Sequence, residues 1–209
     1  MDIRPMDLPL QPVAGVPEVR LHQAVDLLWL WEQAQRADAD EAPFPFWATP
    51  WAGGVGLARH VLDHPDEVAG RRVWDVATGS GLVAIAAALA GAAQVLASDR
   101  NPDALVATSA NAAGNRVDIA TSCVDALAAT RVEHEVVLIG DACYDAEIAA
   151  QTRAFLPRAA ATGARVLLGD PGRPDLPRDV LTPVAGYEIP DAAGLESTPL
   201  VHVQVWTPA

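Results

Sequence analysis

The chain has 209 residues, 51% of them hydrophobic and 20% charged, with a formal net charge of −13. This composition points to one domain of ordinary size that buries its own core and argues against a disordered chain. All 14 basic residues are arginine, so a nucleic-acid partner is disfavoured and a cationic or neutral substrate fits better.

Residues 1–16 are proline-rich, lack the apolar core of a secretory signal, and read as a flexible N-terminal arm ahead of a domain over 17–209. Pro17 and Glu18 open an expected helix from Val19 to about Arg36, with Leu21, Val25, Leu28 and Trp29 at helical spacing. Residues 37–46, ADADEAPFPF, form an acidic, proline-broken loop. A second helix runs from about Gly54 to Asp63 and stops at His64-Pro65. His60 and His64 stand at i, i+4, but no third ligand is nearby and no metal site is expected.

From residue 71 short Val/Leu/Ala runs alternate with helical stretches. The expected strands are Arg72–Ala77, Val95–Asp99, Ile119–Val124, Glu135–Gly140 and Ala164–Gly169, with helices over Leu82–Ala90, Pro102–Ala113 and Ala146–Ala160. Two late strands, about Val184–Glu188 and Val201–Trp206, close the chain. The early strands are near-continuously apolar, as in a parallel sheet buried on both faces, and right-handed crossovers make that sheet doubly wound. Ligands of such sheets bind beyond the strand C-termini. Leu82–Ala93, the longest apolar run, is too short to cross a bilayer. Cys123 and Cys143 make no disulfide scaffold, and a cytoplasmic protein is expected.

The first of these strands ends in Asp75-Val76-Ala77-Thr78-Gly79-Ser80-Gly81, and Leu82 opens a helix. Gly79 and Gly81 allow a sharp turn and close backbone approach. Asp99 ends the next strand, where an acid can accept both ribose hydroxyls of a nucleoside. Gly79 to Ala84 also reads as G-x-G-x-x-A, as in dinucleotide-binding folds. Asp75 argues against that reading: a carboxylate near the ligand's centre repels a pyrophosphate and favours the ammonium and sulfonium of S-adenosylmethionine. For Asp75 alone, the alternative is an acid stabilising a helix N-terminus.

With these residues in hand, the chain resembles the class I, seven-β-strand methyltransferases, and within them the electron-transfer-flavoprotein β-subunit lysine methyltransferase family. PEVRL at 17–21, FWATPWAGG at 46–54, WDVATGSG at 74–81, GDACYD at 140–145 and GDPGRP at 169–174 carry the resemblance. Asp141-Ala142-Cys143-Tyr144 fits the D-x-x-Y signature of that wider group. The resemblance implies a Rossmann-like sheet of order 3-2-1-4-5-7-6 with an antiparallel last strand and N-terminal helices. It implies that Asp75, Ala77, Thr78, Gly79 and Gly81 line the methionine part of S-adenosylmethionine and that Asp99 holds its ribose. Val124 and Asp125 would flank the adenine, Gly140 and Asp141 would face the sulfonium, and Trp51 would lie over the cofactor. Ala77 stands where the family usually has the first of three glycines, and alanine fits there if φ is negative.

Asp141 and Tyr144 follow the fourth strand of the sheet, where substrate meets the methyl group. A carboxylate and a phenol can hydrogen-bond an amine and aim its lone pair, and such positioning supplies up to roughly 7–11 kcal/mol. The alternative is that Asp141 caps the following turn and Tyr144 packs. Trp47 and Trp51 can stack on adenine, wall an amine channel, or simply pack. Trp29 and Trp31 read as core or interface residues. Cys143 has no basic partner to activate it. Arg173 can guide an acidic protein partner or pin its turn. The expected function is S-adenosylmethionine-dependent methyl transfer, with a protein lysine as acceptor on the resemblance alone. A small-molecule amine of secondary metabolism and a catalytically silent cofactor-binding module are the alternatives.

Overall fold

The computed structural model describes residues 4–37, 43–191 and 199–209. In chain order its elements are β1 (Leu10–Val13), β2 (Val16–His22), α1 (Leu27–Ala37), α2 (Ala52–Asp63), β3 (Arg72–Val76), α3 (Leu82–Leu89), β4 (Gln94–Asp99) and α4 (Pro102–Asn115). Then follow β5 (Ala120–Cys123), β6 (Val136–Gly140), α5 (Ala146–Ala160), β7 (Arg165–Asp170), β8 (Leu181–Pro190) and β9 (Leu200–Pro208).

β6 carries no polar side chain, β3 and β7 carry charges only at Arg72, Asp75, Arg165 and Asp170, and all three strands are buried nearly end to end, because helices cover both faces of the sheet there. Seven strands pair in the order β5-β4-β3-β6-β7-β9-β8. β5, β4, β3, β6 and β7 run parallel, and β9 lies antiparallel between β7 and β8. Counted from β3 as the first strand, this is the order 3-2-1-4-5-7-6 with an antiparallel last strand. The expected strands and helices from residue 71 onward lie within a few residues of their observed bounds. Side-chain caps start α4 and α5: Asn101 Oδ1 accepts from Asp103 N at 2.9 Å ahead of α4, and Asp145 Oδ1 from Ile148 N at 2.9 Å ahead of α5.

The N-terminal region departs from expectation. Described residues 4–16 carry a 3-10 turn and the first strand of an antiparallel hairpin, not a loose arm. The boundary expected at residue 17 falls inside β2, and the helix expected from Val19 begins only at Leu27. The cause is local. Val19 and Leu21 alternate with outward Glu18 and Arg20, so a strand buries them fully against α2 and α3. The hairpin is tied to α4 through side-chain amides: Asn115 Oδ1 accepts from Arg20 N at 2.9 Å and Asn111 Oδ1 from His22 N at 2.6 Å.

α2 is pressed unusually close to the sheet. A Cβ on Gly53 would lie 2.6 Å from the Gly169 carbonyl oxygen, and one on Gly56 would collide with a Val203 methyl. A Cβ on Gly140 would in turn meet the Gly54 Cα at 2.9 Å. Paired glycines on helix and strands thus let α2 lie directly over the ends of β6 and β7. That placement makes one wall of the site.

Candidate active site

β3 passes into α3 through a turn with three left-handed residues, Ala77 (φ 55°), Gly79 (φ 55°) and Gly81 (φ 82°). The condition of a negative φ at Ala77 is not met: alanine takes up the strained conformation itself, at a cost of about 1–2 kcal/mol. Gly81 has a second reason to be glycine, since a Cβ would lie 2.9 Å from Thr108 of α4. A Cβ on Gly79 would meet no protein atom within 4 Å, so its side opens onto free space.

That space is a cavity of about 480 Å³ beyond the C-terminal ends of β3, β4 and β6, within the range of cofactor sites. Of the residues expected there, Trp51, Ala77, Gly79, Asp99, Val124, Asp125, Gly140, Asp141 and Tyr144 line it. Asp75, Thr78 and Gly81 do not line it. Asp75 sits behind the turn, 1% exposed, where its Oδ2 accepts from Thr78 Oγ1 at 2.5 Å and from Ala84 N at 3.0 Å. It braces the loop against the first turn of α3. Burial pushes its pKa up to about 7, with the Asp99 charge acting the same way and both hydrogen bonds opposing. The negative charge facing the cavity therefore comes from Asp99, Asp125 and Asp141 rather than from Asp75.

Asp99 accepts from Gly79 N at 3.0 Å through Oδ2 and from Asn101 N at 2.9 Å through Oδ1. Both bonds fix its carboxylate at the cavity edge, and each oxygen keeps a lone pair for a further donor. Asp125 caps a 3-10 turn beside half-exposed Val124. On the opposite side, Asp141 takes a left-handed conformation (φ 53°), one that aspartate tolerates better than most residues. Its side chain is 2% exposed. Oδ2 accepts from Gly53 N at 2.9 Å, and Arg173 binds both oxygens, Nε at 2.9 Å and Nη2 at 3.2 Å. The expected free amine-capturing carboxylate is thus already in a bidentate ion pair. Arg173 pins Asp141, while the buried Asp170 pins the Arg173 turn by accepting from Gly172 N and Arg173 N at 2.7 Å each.

Tyr144 is half-exposed and stacks on Phe46, with ring centroids 5.1 Å apart and planes 25° from parallel. Desolvation raises the phenol's pKa, with the Arg100 guanidinium opposing, so Tyr144 is a neutral hydroxyl at neutral pH. Trp51 donates from Nε1 to the Phe46 carbonyl at 2.8 Å, and its ring is tilted 44° to that of Phe46 with centroids 5.8 Å apart. Trp47 is buried with side chains of α1 and α4 and also lines the cavity. Cys143 is fully buried; burial first, then Asp170, pushes its thiol up to about 12, which leaves it unreactive. His60 bonds Tyr187 at 3.0 Å on the far side of α2 from the cavity, and no cluster of three metal-ligating side chains occurs among the described residues.

Among the lining residues not singled out from the sequence are Phe44, Phe46 and Arg100. The FPF run carried a usable signal, because alternate aromatics in a proline-stiffened loop face one way. Arg100 directly follows Asp99, where a strand end delivers both side chains to one rim.

Residues 59–140 match the family model of the ribosomal protein L11 methyltransferase, PrmA. The chain is similar to the electron transfer flavoprotein beta subunit lysine methyltransferase of Rattus norvegicus, 33% identical over 196 residues, covering 91% of this chain and 76% of that protein. The Homo sapiens protein of the same description is also 33% identical, covering 91% of this chain and 74% of its own. Among solved structures, TrmN from Thermus thermophilus superposes with a TM-score of 0.56 at 23% identity, over 75% of this chain and 49% of that one. That last likeness is one of fold.

Proposed function

The chain belongs to the electron transfer flavoprotein β-subunit lysine methyltransferase family, and from that premise we propose how its cavity holds the cofactor and which acceptor it serves. It is an S-adenosylmethionine-dependent methyltransferase. When bound, S-adenosylmethionine supplies an electrophilic methyl on a sulfonium.

The residues fit that cofactor. Asp99 receives the ribose hydroxyls, Val124 and Asp125 flank the adenine, and the open side of Gly79 lets the backbone approach the methionine part. Trp51 covers it, and Gly140 faces the reacting end. Asp75, Thr78 and Gly81 act one layer behind by setting the shape of the turn. The single observation that carries this reading is the cavity itself, with Asp99 at the rim of β4 and the Asp141–Tyr144 segment at the rim of β6.

The acceptor is the amine of a protein lysine, as the likeness to the electron transfer flavoprotein beta subunit lysine methyltransferases supports. A lysine must arrive neutral, which at pH 7 costs about 4.6 kcal/mol from its reference pKa. A free Asp141 would make this worse by stabilising the ammonium. Its pairing with Arg173 cancels that charge, and Arg100, which lies beside the Tyr144 phenol, favours the neutral amine. Tyr144 then orients the nitrogen by hydrogen bonding, with its ring held by Phe46. No lining group is suited to be a strong base, so the lysine loses its proton to water before it is enclosed. We place this reaction in the cytoplasm, on a protein related to the electron transfer flavoprotein β subunit and not on nucleic acid. No helix among the described residues is long and apolar enough to cross a membrane.

Asp99→Ala tests the cofactor half. Losing a charged acceptor for two hydroxyls raises the Kd for S-adenosylmethionine on the order of 10–100-fold in isothermal titration. An unchanged Kd contradicts the placement. Tyr144→Phe tests the acceptor half: kcat falls while cofactor affinity holds, and full turnover contradicts the role.

A further inference from the structure

The exposed apolar surface beside the cavity is concentrated on α1. Leu28 is 50% exposed and Trp29 57%, while Val25, just ahead of the helix, is 86% exposed. The other side of the same helix is committed to the core: Leu27 and Leu30 are buried with Trp47, Ala104 and Ala107. α1 is therefore apolar on two faces, and the core explains only one. A tryptophan and a leucine turned outward on a helix that already has its core contacts are the composition of a binding surface.

This surface runs on to the cavity. Trp31 lies one helical turn from Leu28. Its ring is 5.3 Å from Phe44, Phe44 is 4.8 Å from Phe46, and Phe46 is 5.1 Å from Tyr144. Phe44, Phe46 and Tyr144 line the cavity. An aromatic row thus leads from α1 to the place where the acceptor nitrogen is delivered. The charge around it has one sign in excess: the chain carries −13, and the exposed Asp26 and Glu32 stand next to Leu28 and Trp29.

We infer that the outward face of α1, Leu28 and Trp29, with Val25 just ahead of the helix, is the docking surface for the folded acceptor protein. Its occupant is a surface with an apolar centre and a net positive, lysine-bearing rim. The inference rests on the protein-lysine reading above and adds where the acceptor is gripped. The apolar centre supplies contact area, and the carboxylates select the basic partner and speed its encounter. The methylated lysine then reaches Tyr144 along the aromatic row while its own protein rests on α1.

The test uses the full chain carrying Leu28→Ser and Trp29→Ser together, both on exposed positions outside the catalytic machinery. The acceptors are the intact, unmodified electron transfer flavoprotein β subunit and a short unmodified peptide around whichever of its lysines the unsubstituted enzyme methylates. KM for the intact protein rises tenfold or more, kcat stays within about twofold, and kcat/KM for the peptide and the Kd for S-adenosylmethionine are unchanged. KM for the intact protein also rises with salt in the unsubstituted enzyme. An unchanged KM for the intact protein overturns the docking surface, as does an equal loss on protein and peptide. A concentration-dependent dimer of the unsubstituted enzyme that the double variant abolishes also overturns it, because the face is then a self-contact. If the unsubstituted enzyme methylates neither acceptor, the protein-lysine reading fails first and the docking surface falls with it.

Discussion

Two buried carboxylates in the site are handled in opposite ways. Asp75 is left without a cation, so burial raises its pKa to about 7. The folded state then holds the proton more tightly than the unfolded chain. The cost of ionising Asp75 is absent below about pH 4 and fully present above about pH 7, so this residue makes the fold less stable as pH rises through that window. Asp75→Asn removes the charge but keeps an acceptor for Thr78 or Ala84. Measured against the unsubstituted protein, its stability improves by on the order of 1 kcal/mol or more between about pH 5 and pH 8. A difference independent of pH contradicts the buried, cation-free setting. Asp141 has its cation in Arg173. Arg173→Ala strands a carboxylate of 2% exposure and lowers stability by about 3 kcal/mol in urea unfolding. Arg173→Lys recovers part of that, since lysine keeps the charge but not the two-point geometry. A loss no larger than that of an ordinary surface substitution contradicts the strut.

At the scale of elements, α2 does the most to shape the site, through glycines rather than through side chains. Gly56→Ala drives a methyl into Val203, which can shift, and costs about 1–3 kcal/mol. Gly53→Ala meets the Gly169 carbonyl and the Asp141 backbone, which cannot shift cheaply. It lifts the start of α2, breaks the Gly53 N to Asp141 bond, and costs more stability than Gly56→Ala in the same thermal melt. The reverse order contradicts the close approach. The sheet was legible because continuous apolar runs such as Val136–Gly140 leave only a doubly covered strand as a solution. The hairpin was not. In VPEVRLH the period-2 signal of Val19 and Leu21 spans a few residues, and Leu21, Val25 and Leu28 supply a competing helical spacing across the real boundary. Nor was the state of Asp141 legible. Its partners are 32 residues ahead and 88 behind, and only the folded topology brings GDPGRP and AGG onto one carboxylate.

The whole molecule combines a cofactor cavity at the C-terminal edge of a parallel sheet with an acidic surface and an apolar helix beside the entrance. Its charge at the cavity is finely balanced. Asp99, Asp125 and Asp141 face Arg100 and Arg173, while Asp75 stays behind the turn, so attraction for a cationic cofactor comes from the rim and not from the head of β3. This balance also suits an acceptor that must be neutral when it reacts and cationic when it is recruited. The most direct test is a mass spectrum of the electron transfer flavoprotein β subunit after incubation with the enzyme and isotope-labelled S-adenosylmethionine. Label on lysine side chains, in whole methyl increments and lost with Tyr144→Phe, is the expected result. Label confined to small molecules, or to no acceptor at all while the cofactor is bound, contradicts the protein-lysine assignment.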